Sequence, residues 1–231
     1  MKTKLNKHKN DKAVKATRPY PSTFSLIETL LWENGKFFLL KFHLARLQKS
    51  AHYFSYSYNE NDIAKSLEDL SHTFDIAQKY RIRLLLEKSG KFNISSHILG
   101  TPSPLPVKIT LSSKKIDKDD VFLYHKTTNR TLYDTELETW REKGFFDIIF
   151  SNHEDEVTEG AITNIIIQKD KKFWTPPLSS GLLNGVYRQF LLKTKKLSVK
   201  EKVLYEKDLL NADKIFIVNS VRKVLHAALV K

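Results

Sequence analysis

The sequence of 231 residues predicts an α/β protein in two parts, a small α+β domain followed by a larger α/β domain. Three observations carry this. Paired apolar runs with tight-turn residues bracket two amphipathic helices in the first hundred residues. The one concentrated proline segment, Gly100-Thr-Pro-Ser-Pro-Leu-Pro106, is stiff and extended and reads as a linker. Beyond it, short apolar strands alternate with helical periodicity. The expected organisation is a basic arm over 1–18, a small domain over 19–105 and a larger domain over 106–231.

Taken in order, Phe24 to Trp32 reads as a strand, Glu33-Asn34-Gly35 as a turn and Lys36 to Leu40 as the returning strand. Leu44, Leu47 and Ala51 then recur at helical spacing from Phe42 to about Phe54. After Asn59 to Asp62, Ile63, Leu67, Leu70, Phe74 and Ala77 mark a second helix. A second hairpin pairs Tyr80–Glu87 with Phe92–Leu99 across Lys88-Ser-Gly-Lys91. In the second part the pattern predicts strands at Val107–Ser112, Phe145–Ser151, Ile162–Gln168 and Lys214–Val218, and helices at about Thr131–Lys143 and Gly185–Lys195. No internal repeat is visible.

Composition narrows the function. With 41% apolar, 11% aromatic and 28% charged residues and only 7 Gly and 7 Pro, the chain is neither disordered nor fibrous as a whole. No run approaches the roughly 18 apolar residues of a membrane span, and the N-terminus lacks a secretory apolar region, which points to a cytoplasmic protein. The absence of Cys removes thiol nucleophiles, disulfides and Cys-based metal sites, and fits a reducing compartment. The net charge of +13 suggests nucleic acid, but Lys2, Lys4, Lys7, Lys9, Lys12, Lys15 and Arg18 against Asp11 place +6 of it in the arm. That arm lacks interleaved aromatics for base stacking, so the charge distribution argues against a nucleic-acid partner.

G-x-G-x-x-G, G-x-x-x-x-G-K-[ST], G-x-S-x-G and H-E-x-x-H are all absent. The eight His, at 8, 43, 52, 72, 97, 125, 153 and 226, show no ligand spacing, so no metal site is expected. Four short segments stand out instead. Lys126, after the apolar run Val121–Tyr124, either reaches solvent or is desolvated into a nucleophilic amine. Glu159 and Gly160, within Glu156 to Asn164, precede the apolar Ile165-Ile-Ile167 and read alone as a hairpin turn. Pro176 to Arg188 is a Gly-containing loop that opens a helix, able to present backbone N–H groups to an anion. Ile215-Phe-Ile-Val218 is a buried strand ending in Asn219 and Ser220.

Read together, these segments resemble the class IV aminotransferase family, the fold-type IV enzymes that use pyridoxal 5'-phosphate. The matching pieces are Leu26-Ile-Glu-Thr-Leu30, His43-Leu-Ala-Arg-Leu47, His125-Lys-Thr-Thr-Asn-Arg130, Val157 to Asn164, Thr175 to Arg188 and Val218-Asn-Ser220, with Lys126 and Glu159 33 residues apart. Within the family the His125–Arg130 run is most similar to aminodeoxychorismate lyases, especially the lyase half of synthase–lyase fusions. The resemblance implies a D-amino-acid-aminotransferase-like fold with the coenzyme between two domains. It implies Lys126 as the Schiff-base lysine and Glu159 as the carboxylate at the pyridine nitrogen. It further implies Arg46 at the phosphate, Val186 and Tyr187 in the loop whose N–H groups hold that phosphate, and Asn219 and Ser220 as further contacts. Arg83, on the strand Tyr80–Glu87, is the candidate for a carboxylate of a small anionic substrate. The implied reaction gives 4-aminobenzoate and pyruvate for folate synthesis, after an aminodeoxychorismate synthase. A branched-chain or D-amino-acid aminotransferase on the same scaffold is the alternative. A homodimer is implied by the family alone.

Overall fold

The computed structural model describes residues 23–100, 104–194 and 197–230. The basic arm over 1–18, the middle of the proline segment and the last predicted residue of the helix ending at Lys195 lie outside the described residues.

Strand β1 (Leu26–Glu33) turns through Asn34 and Gly35, both at positive φ (51° and 75°), into β2 (Lys36–Phe37). That two-residue turn matches the twist of an antiparallel pair, which is why Asn-Gly stands there. The returning strand is shorter than its apolar run suggested. Leu39 adopts φ 56° and ψ 32°, which breaks the ladder and starts α1 (Leu40–Phe54) two residues before the expected Phe42. Helix α2 (Glu60–Ser71) is opened by Asn59, whose side-chain oxygen accepts from Asn61 N–H (3.1 Å) and Asp62 N–H (3.4 Å). It ends before Phe74, although Phe74 still packs where the rhythm placed it, stacked 4.1 Å from Tyr80 and edge-on to Trp32. Strands β3 (Tyr80–Leu86) and β4 (Phe92–Ile98) complete an antiparallel sheet in the order β2-β1-β3-β4. One face of that sheet, with Leu26, Leu30, Ile82, Leu84 and Leu86, packs on Leu47 and Ala51 of α1 and Ile63 and Leu67 of α2. The other face carries Ile27, Thr29, Arg81 and Arg83 toward a cleft.

The rest of the chain forms β5 (Val107–Ile116), β6 (Asp147–Asn152), β7 (Val157–Gly160), β8 (Asn164–Lys169), β9 (Lys172–Thr175), β10 (Lys200–Glu201), β11 (Lys214–Asn219) and β12 (Lys223–Leu229). The sheet runs β10-β9-β8-β11-β12-β5-β6-β7, and β7 returns to β8 through Glu159 and Asn164. Six strands therefore close into a ring. Each contributes to one cluster that includes Ile217, Ala227, Ile109, Ile149, Val157 and Ile165, which identifies that cluster as the barrel interior. Alternate residues face outward, so Ile148 and Phe150 meet Leu137 of α3 (Thr131–Glu142), and Ile166 and Val218 meet Leu191 of α4 (Val186–Thr194). Burial on both faces explains the unbroken apolar runs of β6 and β8. Val157–Gly160, read from sequence as a turn, is a strand because all four residues are buried in ring closure. Strands β9, β10 and β12 and the short helix α5 (Glu206–Leu210) had no expected counterpart.

The two sheets meet at the start of β1. Because β2 covers only Trp32 and Glu33, the first residues of β1 keep one edge open. The segment after Tyr124 fills it, with Ile27 N–H donating to Lys126 C=O (2.8 Å) and Thr128 N–H to Ser25 C=O (2.9 Å). Val121 and Phe122, just upstream, pack into the core of the first sheet.

Removing the Asn59 cap tests the local account of α2. Asn59→Ala should cost about 1 kcal/mol, read as a lower denaturant midpoint at unchanged slope.

Candidate active site

A cavity of about 680 Å³ lies between the Arg81–Arg83 face of β3 and the ring closure of the barrel. Lys126, Glu159, Arg46, Val186, Asn219 and Ser220 all line it, as does Arg83. Of the residues anticipated there, Tyr187 alone turns its side chain elsewhere, with its ring 5.6 Å from Phe38 and 6.0 Å from Phe190. Its N–H remains in the first turn of α4, where no preceding helical carbonyl is available to it.

Lys126 follows a 3-10 turn, Val121–Tyr124, that is opened by the Asp120 carboxylate accepting from Phe122 N–H (2.9 Å). Burial lowers its amine, and the Arg130 and Arg46 guanidinium groups add to that, against the opposing pull of Glu28 and Glu159. The result is a value of about 7. Lys126 is part-buried and lines the cavity.

Glu159 closes the barrel and is 7% exposed. Its carboxylate accepts from Leu183 N–H (3.0 Å), Asn164 Nδ2 (3.2 Å) and, at the limit of hydrogen bonding, the Tyr133 hydroxyl (3.5 Å). Burial nonetheless pushes its carboxyl up to about 8, with Leu183 N–H, Lys126 and Arg130 pulling the other way. The following turn is held from beneath by Asp147, which accepts from Thr163 Oγ1 (2.6 Å) and Ile162 N–H (3.3 Å). A Cβ on Gly160 would lie 2.4 Å from Asp147 Oδ2, so that turn admits only glycine.

Beside it, a Cβ on Gly185 would lie 1.9 Å from Asn164 Oδ1. Glycine thus lets the start of α4 approach the Glu159 side of the cleft. Asn219 is largely occupied by its own turn, its Oδ1 accepting from Val221 N–H (3.0 Å) and Arg222 N–H (2.8 Å). Ser220, next along, is buried against the cavity. Arg46 grips Glu28 through Nε (2.8 Å) and Nη2 (2.7 Å), which leaves Nη1 for the cleft. His43 Nδ1 stands 2.6 Å from the same carboxylate. Burial alone would raise Glu28, but Arg46 and His43 overcome it and hold the carboxyl at about 2.

Sequence reasoning did not single out Glu28, His43, Arg130, Tyr133 or Asn164 as site residues. Glu28 had a visible signal, since strand alternation places it on the same face as Leu26 and Leu30, where a charge requires a partner. Tyr133 and Asn164 had none, because Tyr133 reaches Glu159 from α3 and Asn164 through barrel closure. Arg130 bonds Ala161 C=O (2.5 Å) and Asp134 (2.7 Å), tying α3 to the turn after Glu159. Among the described residues no His, Asp or Glu cluster could hold a metal, and no helix is long and apolar enough to cross a membrane.

This lysine and carboxylate, in a cleft between a small sheet and a barrel, place the chain in a known class. Residues 25–230 match the family described as amino-transferase class IV, and the chain belongs to that family, whose enzymes depend on pyridoxal phosphate. Over 216 residues it is 30% identical to the Schizosaccharomyces pombe protein named "Putative aminodeoxychorismate lyase", covering 89% of this chain and 90% of that one. It is 27% identical over 229 residues to D-alanine aminotransferase of Bacillus licheniformis, covering 90% and 79%. The crystal structure of a "Putative amino-acid aminotransferase" from Mesorhizobium loti superposes with a TM-score of 0.83 at 31% identity, covering 90% of this chain and all of that one.

Glu28→Gln leaves Arg46 buried opposite a neutral amide and should destabilise the fold by about 3–5 kcal/mol in chemical denaturation. Because Glu28 ionises near 2 when folded against an ordinary 4.5, its contribution is full above 4.5 and disappears as pH falls toward 2. The variant should show a shallower acid-side loss of stability across that window.

Proposed function

We propose that the protein is a pyridoxal-phosphate-dependent 4-amino-4-deoxychorismate lyase that releases 4-aminobenzoate and pyruvate. The observation that carries this reading is the Lys126 amine, lowered to about 7 in a cleft that also holds a buried carboxylate and a glycine-opened helix start. The chemistry of those groups fits the cofactor. Lys126 would hold its aldehyde carbon, Glu159 its ring nitrogen, and Arg46, Ser220 and the N–H groups of Val186 and Tyr187 its phosphate. Bound there, pyridoxal phosphate supplies a conjugated ring that accepts the electron pair left when a bond to the substrate carbon breaks. Glu159, oriented by its donors, would face the ring nitrogen and share its N–H proton. Lys126 Nζ, once released from the cofactor, would take the substrate's ring proton. The carbon–oxygen bond to the enolpyruvyl group then breaks, and that group takes a proton and departs as pyruvate. Arg83 presents a guanidinium to a substrate carboxylate.

The Schizosaccharomyces pombe relative supports the lyase, since it is similar over nine-tenths of both chains. The likeness to D-alanine aminotransferase and to the Mesorhizobium loti structure supports the second reading, an aminotransferase with the same Lys126 and Glu159 roles. As a lyase the protein would act after an aminodeoxychorismate synthase in folate synthesis, as a cytoplasmic homodimer. The lack of cysteine fits that compartment.

Three outcomes test the reading. Supplied with aminodeoxychorismate made in situ, the cofactor-loaded protein should accumulate 4-aminobenzoate, read by fluorescence after separation. A keto-acid-dependent half reaction without that product would establish the aminotransferase instead. Lys126→Ala should fold yet lose both the absorbance of covalently held cofactor and borohydride trapping, while Glu159→Gln should keep the trap but lose about a hundredfold or more in turnover. Covalent capture of added cofactor by the unloaded protein should rise with pH through about 7, the value at which Lys126 loses its charge, rather than near the ordinary 10.5.

A further inference from the structure

The cleft-side face of the first sheet carries a pair of charges of which the chemistry above uses only Arg83. Strand β3 is a central strand, between β1 and β4, so its charges do not serve to block an exposed edge. Arg81 and Arg83 project from the same face of it, two residues and about 7 Å apart, and both line the cavity. Their cross-strand neighbours are Leu31 and His97 beside Arg81, and Thr29 and Ser95 beside Arg83. None is a carboxylate. Among the described residues neither guanidinium has a hydrogen-bond or ion-pair partner, whereas Arg46, Arg130 and Arg188 each hold an acid. The nearest acid, Asp134, is bonded to Arg130, and burial with the Arg130 charge lowers Arg83. Two unmatched cations on one wall of a cleft call for an anion of matching span.

The register orders them. Arg83 pairs with Thr29, two residues from the Ile27 N–H that bonds Lys126 C=O, whereas Arg81 pairs with Leu31, two residues farther along β1 from that bond. We propose that Arg81 and Arg83 form a two-carboxylate site, with Arg83 holding the carboxylate nearer Lys126 and Arg81 holding a second, outer one. The cleft is thereby selective for dicarboxylate substrates. This rests on the lyase reading, whose substrate bears a ring carboxylate and an enolpyruvyl carboxylate, and it adds Arg81 as the residue that distinguishes such a substrate from a monocarboxylate amino acid.

The test uses cofactor-loaded protein and two unreactive probes, isophthalate and benzoate, with binding read by calorimetry. Isophthalate should bind about tenfold tighter than benzoate, the size of one added charge-assisted contact. Arg81→Gln should bring isophthalate down to the level of benzoate and leave benzoate unchanged, while Arg83→Gln should weaken both. Equal affinity for the two probes in the parent protein would overturn the proposal, as would an Arg81→Gln variant that weakens both alike or neither. The lyase reading fails separately: an isophthalate preference that depends on Arg81, in a protein that makes no 4-aminobenzoate, would keep the dicarboxylate site and discard the lyase.

Discussion

The open edge at the start of β1 is the constraint on which the site depends. A hairpin with a longer return strand would have paired that edge internally. The left-handed conformation of Leu39 ends β2 after two residues and frees it instead. The segment Lys126–Thr128 occupies it, so the backbone that carries the lysine is fixed by the small sheet although it belongs in sequence to the barrel. Val121 and Phe122 anchor the same segment in the first core. The lysine is thus positioned by main-chain hydrogen bonds, which do not depend on the cofactor.

Electrostatics follow from that placement. Glu28 is the acid that could have kept Lys126 charged, but both its oxygens are engaged by Arg46 and His43. What reaches Lys126 is therefore a field with Arg130 and Arg46 ahead of the two carboxylates, on top of its desolvation. A buried ion pair contributes little net stability, because desolvation offsets most of its attraction. Its effect here is directional: it fixes the Arg46 fork, leaves one nitrogen toward the cleft and prevents Glu28 from pairing with the lysine. Glu159 shows the converse, since three neutral donors orient it while burial keeps its proton affinity high.

The sequence was legible where one element accounts for a residue and opaque where closure of the fold does. Helices α1 and α2 and both hairpins follow from periodicity and turn residues close to Leu40, Glu60, Asn34 and Gly35. Lys126 and Glu159 stood out through family-like segments, while their types alone were compatible with a solvent-reaching lysine and a turn acid. Strand β7 was missed because four residues ending in Glu159 and Gly160 are held by ring closure and carry no strand rhythm. Strand β12, with His226 among Leu225 and Ala227, lacks alternation because most of its residues are only partly buried. Glu28 was the recoverable omission, for a charge in phase with Leu26 and Leu30 cannot face water.

The end of the cleft proposed to hold the phosphate is assembled from both units, Arg46 from α1 and the first-turn N–H groups of Val186 and Tyr187 from α4. Tyr187 explains how they stay together. Its ring leaves the cleft and, with Phe190, meets Phe38 just before α1, while Phe42 meets Phe190. Lys223 on β12 pairs with Glu33 of β1 and lies 4.9 Å over the Phe38 ring, adding a second tie beside the first. A bulky residue that would crowd an anion if it pointed inward thus closes the seam between the two helices when it points outward. A phosphate bridging Arg46 and the start of α4 would strengthen the same seam, so its binding and the docking of the two units are thermodynamically linked, each favouring the other.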